Sequence, residues 1–340
     1  MIKEAIQQLV NRESLSRSDA AAVMQEIMDG EATPSQISAF ITALSMKGET
    51  VDEITGLAEI MRSKSVKVSA AADPLLDTCG TGGDKMKTFN ISTCAAFIAA
   101  GGGIAVAKHG NRAATSACGS ADVLESLGVN INLPPEAVAE SIETIGIGFL
   151  FAPGHHPAMK HAAVPRKEIG IRTVFNILGP LTNPADAKYQ VIGVFSPYFP
   201  ETMAGVLRNL GAERAMVVHG LDGLDEISTI GSTKVSELAD GKITTYLIDP
   251  ASFGFEKTSI SDISGGATPA ESGELFLKVL KGEKGPRRDI ALLNAGAAFY
   301  VTGKAEDLRT GIELSAHSID SGAALDAFEK YRSFTRRFAS

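Results

Sequence analysis

Over the first 65 residues, apolar positions recur at helical spacing. Ile2, Ala5, Ile6, Leu9 and Val10 follow the 3, 4, 7 steps that place side chains on one helical face. Thr33-Pro34-Ser35-Gln36 spells a capping box with proline at the first helical position. Ile37, Phe40, Ile41 and Leu44 carry the next stripe until Gly48 ends it. Thr50 to Glu53 opens a further box ahead of Ile54, Leu57 and Met61. Four short helices cannot bury their apolar faces alone. The expectation is a helical lobe over residues 1–70, joined by helices from about 160–185, packed on another domain or a second copy of the chain.

From about residue 73 the pattern changes to short apolar runs alternating with helical stretches. Leu75–Thr78, Ile104–Ala107, Phe149–Ala152, Gln190–Phe195 and Ala215–His219 read as buried strands, and 242–249 as a later one. Ser120–Leu127, Glu136–Ile145 and Glu201–Leu210 read as helices between them. The tail from Pro269 is mostly helical, with a glycine-punctuated core helix in N294AGAAFYVTG303. The fold class is α/β: a small all-helical N-terminal lobe plus a large domain, 71–340, with a mainly parallel sheet flanked by helices. In such a sheet ligands belong at the carboxyl ends of the strands.

Composition narrows the field. The chain has 340 residues, 44% of them hydrophobic, and a formal net charge of -8. An acidic chain does not bind nucleic acid by bulk electrostatics, although a local site for a small polyanion remains open. Cys79, Cys94 and Cys118 form no C-x-x-C pair, and M1IKEAIQQLV10 is an amphipathic helix rather than a signal sequence, so a cytoplasmic location with reduced thiols is expected. No apolar run is long enough to span a membrane.

Several stretches carry candidate chemistry. D77TCGTGGDKMKTFNIST93 places Gly80, Gly82 and Gly83 between a strand and a helix, with Thr88, Asn90, Ser92 and Thr93 before the helix. A phosphate cradle and an ordinary glycine-rich turn with an N-cap both fit it taken alone. It is neither G-x-G-x-x-G, since Lys85 occupies the last glycine position, nor a P-loop. K108HGNRAATSACGSADVLESLG128 follows the next strand: Lys108 reads as a mobile cation, Gly110-Asn111-Arg112 as a polar turn, and Ser116, Gly119 and Ser120 precede a helix that Ser120 can cap. Asp225 and Glu226 are adjacent acids after the strand A215MVVH219. They are suited to Mg²⁺, or are solvated surface. His155, His156 and His161 match no common zinc spacing. Arg166, after Pro165, offers a planar fork to a carboxylate or an ordinary salt bridge.

These pieces, in this order, resemble the anthranilate phosphoribosyltransferases. The resemblance covers nearly the whole chain, through T33PSQISAFITALSMKGET50, C79GTGGD84, K108HGNRA113, G119SADVLE125, Arg166, N176ILGPLTNP184, Asp225-Glu226 and N294AGAA298. It implies transfer of phosphoribose from 5-phosphoribosyl 1-diphosphate to the amine of anthranilate, with Mg²⁺ and a homodimer. Carried onto these residues, it implies that Gly80, Gly83, Asp84, Thr88, Asn90, Ile91, Ser92 and Thr93 hold the donor. Lys108, His109, Gly110, Asn111, Arg112, Ala113, Ala114, Thr115 and Ser116, with Ser120, complete that site. Ser92, Asp225 and Glu226 bind the metal, and Gly80, Asn111 and Arg166 bind anthranilate. Lys108, Asn111 and Arg166 are the residues expected to carry the catalysis.

The chemistry calls for an oxocarbenium-like transition state and a stabilised leaving pyrophosphate. Anthranilate's amine is neutral at pH 7, so positioning should matter more than a strong base. Three other readings compete. D225EISTIGST233 superficially resembles the sugar-phosphate loop of another phosphoribosyltransferase class, but that reading leaves the earlier loops unexplained. A pyrimidine nucleoside phosphorylase has a related TGG loop, but its S-G-R-G-L stretch is absent. A non-enzymatic, nucleic-acid-binding relative would call for a basic surface.

Overall fold

The computed structural model describes residues 1–83, 86–113 and 118–338. Asp84, Ala114, Thr115 and Ser116, expected at the donor site, lie outside the described residues.

The helical pattern of the first 65 residues yields α1 (Ile2–Val10), α2 (Arg17–Met28), α3 (Pro34–Lys47) and α4 (Val51–Ser63). Both capping boxes form, Thr33 with Gln36 and Thr50 with Glu53, and Gly48 ends α3 at a φ of 92°. A buried knot ties the layer together. Glu53 is fully buried and accepts from Leu15 N (2.9 Å), Thr50 N (2.8 Å) and Lys47 Nζ (2.9 Å). The Lys47 ammonium also donates to Gly48 O (2.7 Å) and Ser14 Oγ (3.2 Å).

The alternating region then runs β1 (Leu75–Asp77), α5 (Ile91–Gly101), β2 (Ala105–Gly110), α6 (Ser120–Ser126), α7 (Pro135–Ile145) and β3 (Ile147–Phe151). Next come α8 (Ala152–His155), α9 (Lys160–Ile169), α10 (Phe175–Leu178), β4 (Tyr189–Gly193), α11 (Phe199–Asn209) and β5 (Arg214–Gly220). β6 (Thr233–Ala239) and β7 (Lys242–Ile248) follow, then α12 (Pro269–Leu280), α13 (Pro286–Val301), α14 (Leu308–Asp320) and α15 (Ala323–Arg336). α9 packs against α2 and α3, and α10 touches α4.

The strands form one sheet in the order β3-β2-β1-β4-β5-β6-β7. The first five in that order are parallel, and β6 and β7 turn antiparallel at the far edge. Chain order reverses between β1 and β4, so their carboxyl ends open a crevice where a ligand can enter. One face is covered by α5, α12, α13 and α15, where Phe97 meets Phe276 and Phe328 edge-on at 5.7 and 5.4 Å. The other face packs on α11 and, through it, on the N-terminal helices: Ile192, Val206 and Leu207 share one apolar cluster with Ile54, Leu57 and Phe40. The helical layer therefore closes its core against the sheet. Among the described residues no helix is long and apolar enough to cross a membrane.

The sequence reading needs four local corrections. β2 does not end at Ala107 but continues through Lys108, His109 and Gly110, which pair with Phe149, Leu150 and Phe151. Lys108 is accordingly not mobile: it is 2% exposed. β6 is an added strand, starting at the end of the 220–233 loop and running through residues to which the sequence gives no element. Ser120 is not the N-cap of α6; Gly119 is, and the Asp122 carboxylate accepts its N–H at 2.8 Å.

Candidate active site

Beneath the rim lies a polar knot built by β1 and β2. Asp77 is fully buried and accepts from His109 N (3.1 Å) and Asn183 Nδ2 (2.7 Å). Burial pushes its carboxyl up to about 6, against the Asn183 hydrogen bond and the charge of Lys108. Lys108 Nζ donates to Thr78 O (3.1 Å), Thr78 Oγ1 (3.3 Å) and Ser92 Oγ (3.4 Å). Burial lowers its pKa, and the nearby Asp77 and Glu226 carboxylates oppose that. The ammonium thus rests on oxygen dipoles at the floor of the crevice.

Above it, the loop after β1 meets the ends of β4 and β5. Thr81 N donates to Gly193 O (2.8 Å), and Phe195 N donates to Thr81 Oγ1 (3.1 Å). The turn carrying Asp225 crosses so close that a Cβ on Gly193 would stand 1.5 Å from Asp225 O; only glycine fits there. A Cβ on Gly80 would lie 3.6 Å from Asp225 Oδ2, so the glycine loop and the acidic turn share one wall. Asn294 of α13 fixes that turn from behind: it accepts from Ile227 N (2.9 Å) and donates to Ile227 O (2.9 Å). Asp222 steadies its other end, accepting from Leu224 N (3.1 Å) and Ser228 Oγ (2.6 Å).

The start of α5 adds the next wall. Ile91, Ser92 and Thr93 form its first turn, with Asn90 at the N-cap. Asn90 Nδ2 donates to Cys118 O (3.2 Å), joining this helix start to the second loop. Among the described residues its Oδ1 is buried with no partner, an acceptor that a ligand hydroxyl or water would satisfy. Thr88 bridges to Ser264, and Phe89 N donates to Ile263 O (3.1 Å). In the second loop Asn111 Oδ1 accepts from Arg112 N (2.7 Å), and Ser120 Oγ donates to Asn111 O (3.2 Å). The Arg112 guanidinium is engaged by Asp122 (3.1 Å) and Glu125, and Ala113 N donates to Asp122 Oδ2 (2.9 Å).

Arg166 sits on α9 with its guanidinium 5.1 Å from the Phe175 ring centre. Burial lowers its pKa, and among the described residues no ion-pair partner meets it. The histidines do not converge on a metal. His155 Nδ1 faces Val66 O (3.0 Å), His161 lies against Gly30, and His156 packs on His109 with ring centres 5.2 Å apart. Burial lowers His109 to about 3 and His156 to about 4, so both are neutral, and among the described residues each has a buried Nε2 with no partner.

Among the described residues, two places bring together donors a cation could use. Asp77, Cys79 and His109 bring ligand atoms within 4.8 Å of one another, but the Asp77 oxygens are already held and Lys108 stands beside them. The Asp225–Glu226 turn offers hard carboxylate oxygens at the rim of the crevice, the donor type Mg²⁺ prefers. Sequence reasoning gave no roles to Asp77, Asn183 and Asn294, although each stood inside a quoted stretch. Buried polar residues within otherwise apolar runs were the available signal.

Comparison with known proteins follows the same outline. Residues 3–65 match the helical bundle domain model of a glycosyl transferase family, and residues 72–325 match its a/b domain model. The chain is 54% identical to an anthranilate phosphoribosyltransferase of Acetivibrio thermocellus, with 100% of this chain and 98% of the relative covered. It is 52% identical to that of Desulfosudis oleivorans, covering 99% of each. Among solved structures, the Thermus thermophilus anthranilate phosphoribosyltransferase superposes with a TM-score of 0.92 at 45% identity, covering 98% of this chain and 99% of that one. The Saccharomyces cerevisiae enzyme in complex with PRPP and Mg gives 0.91 at 28% identity, covering 99% and 98%.

Proposed function

Because this chain belongs to the anthranilate phosphoribosyltransferase family, we propose that it transfers the phosphoribosyl group of 5-phosphoribosyl 1-diphosphate to the amine of anthranilate. Pyrophosphate leaves, in a step of tryptophan biosynthesis. The observation that carries this reading is the shared wall of Gly80 and Asp225 above the buried Lys108 ammonium.

The difficult part of the reaction is charge separation at the ribose C1: the ring becomes cationic and the diphosphate takes up negative charge. Backbone N–H groups of Gly80, Gly82 and Gly83, and of Ser92 and Thr93 in the first turn of α5, would meet that charge with their dipoles, while the Thr81 N–H stays on Gly193 O. Lys108, held by Thr78 and Ser92, supports them from below. Asp225, Glu226 and Ser92 are the residues that would hold Mg²⁺, which when bound neutralises diphosphate oxygens. Thr88, Asn90, Ile91, Thr93 and the second loop, Lys108 to Ala113 with Ser120, enclose the donor. Arg166 supplies a fork for the anthranilate carboxylate, with Asn111 and Gly80 beside it, so that the neutral amine approaches C1 in the right orientation.

The domain division at about residue 70, the dimer and the cytoplasmic location belong to the same proposal. Val10 (63% exposed) and Met46 (68% exposed) sit on adjoining helices, linked by Arg12 Nη1 donating to Met46 O (3.1 Å). This apolar surface suits a second copy of the chain; light scattering on Met46→Lys should report monomer, and an unchanged dimer would reject that face.

Loss of anthranilate fluorescence on adding 5-phosphoribosyl 1-diphosphate and Mg²⁺ tests the function. Fluorescence that stays constant with both present contradicts it.

A further inference from the structure

Arg172 lies six positions beyond Arg166, in a stretch to which the proposed chemistry gives no task. Its own backbone is held firmly. Ser45 Oγ of α3 donates to Arg172 O (3.4 Å), and the next residue, Thr173, donates through its N–H to Asn176 Oδ1 (2.9 Å). The side chain reaches away from the helical layer and across to the glycine loop. There Nη2 donates to Gly83 O, and the guanidinium lies over the Phe195 ring, 4.3 Å from its centre. Phe195 in turn donates its N–H to Thr81 Oγ1 (3.1 Å) in the same loop.

This contact answers a problem the loop creates. Gly82 and Gly83 both have left-handed backbones, at φ 63° and 83°. Consecutive peptides in such a turn make a concave anion nest only if their N–H groups, and not their carbonyls, face the anion. A carbonyl lone pair aimed at a departing diphosphate would oppose it. We propose that Arg172 is a positioning residue for the diphosphate donor: it withholds the Gly83 carbonyl from the leaving group, sets the loop against the helical layer, and keeps a fixed positive charge beside the nest. The stack on Phe195 holds the guanidinium plane, which a lysine cannot reproduce.

The inference rests on the donor site proposed above, and wild-type turnover tests that site separately. Steady-state kinetics would compare wild type, Arg172→Ala, Arg172→Lys and Phe195→Leu, with melting temperatures in parallel. In Arg172→Ala the KM for 5-phosphoribosyl 1-diphosphate rises about tenfold or more, and the KM for anthranilate stays within about twofold. Arg172→Lys recovers part of the loss because the charge remains, and Phe195→Leu, which keeps the hydrogen bond, shows the smallest defect. If Arg172→Ala fails to fold, the Lys and Leu variants carry the same test through their donor KM alone. An active wild type whose Arg172 variants leave the donor KM unchanged overturns the inference while leaving the function standing. Both KM values moving together with a fallen melting temperature, or a lysine variant no better than alanine, also overturns it.

Discussion

Two regions of this molecule bury a lysine near a carboxylate, and they treat the charge differently. In the helical layer, Lys47 and Glu53 meet directly at 2.9 Å, and Leu15 N, Thr50 N, Gly48 O and Ser14 Oγ complete the knot. At the rim of the sheet, Lys108 rests on Thr78 and Ser92 oxygens, while Asp77 is held by Asn183 and the His109 N–H rather than by the lysine. The first arrangement is complete within the protein and holds α3 to α4. The second leaves a positive charge and, among the described residues, two buried acceptors with no partner, Asn90 Oδ1 and His109 Nε2. Buried polar groups left incomplete mark where a ligand finishes the network.

Replacing each lysine should break the comparison most sharply. Lys108→Met should lower kcat/KM for the donor by about 100-fold, the scale of losing one stabilising donor at a developing charge. Its melting temperature should hold or rise, because a costly buried charge is replaced by a side chain of similar length. Lys47→Met should do the reverse: turnover persists, and unfolding free energy falls by about 3 kcal/mol as Glu53 is stranded. Equal activity losses in the two variants would erase the distinction. Asn294→Ala falls between them. It removes both hydrogen bonds to Ile227, so stability should drop by about 2–3 kcal/mol. Activity should fall with it, because the Asp225–Glu226 turn loses its anchor; denaturant titration and turnover on one sample would show both.

Arg166→Ala should be narrower, raising the anthranilate KM about tenfold with the donor KM little changed; an unchanged anthranilate KM would remove Arg166 from the acceptor site. The smallest effect at neutral pH belongs to His156→Leu. His109 and His156 have folded values of about 3 and 4, below their unfolded value of about 6.5. Their contribution is present above pH 6.5 and is lost as pH falls toward 4, because the unfolded chain then binds protons the folded one refuses. Asp77 works oppositely: with a folded value of about 6, it favours the folded state more as pH falls from 6 toward 4. The leucine variant should match wild type near neutrality and lose less stability between pH 6.5 and 4 in thermal melts. An acid limb identical to wild type would contradict that assignment.

Much of this was legible in the sequence where one physical rule governs. Capping boxes at Thr33 and Thr50 fix helix starts locally, and the parallel strands show as apolar runs because both their faces are covered. Lys108 and His109 read as loop because charge and polarity ordinarily mark solvent; here they are buried strand residues, Lys108 turned to Thr78 and Ser92 and His109 to Gly179 and His156. β6, T233KVSELA239, was missed because its polar alternate positions resemble a surface turn, and only pairing with β5 and β7 makes it a strand. The nearness of Gly80 to Asp225 follows from both loops emerging at the carboxyl ends of strands in one parallel sheet. Arg172 was not legible, because its partners are a backbone carbonyl and a ring distant in sequence.

The central claim is that the glycine loop and the Asp225–Glu226 turn form one magnesium-dependent diphosphate site. Calorimetric titration of 5-phosphoribosyl 1-diphosphate into wild type and Asp225→Ala, each with and without Mg²⁺, tests it most directly. The account predicts that Mg²⁺ tightens binding strongly in wild type and that this gain disappears in the variant. An Asp225→Ala protein that binds the donor with the same affinity and the same Mg²⁺ dependence as wild type would contradict it.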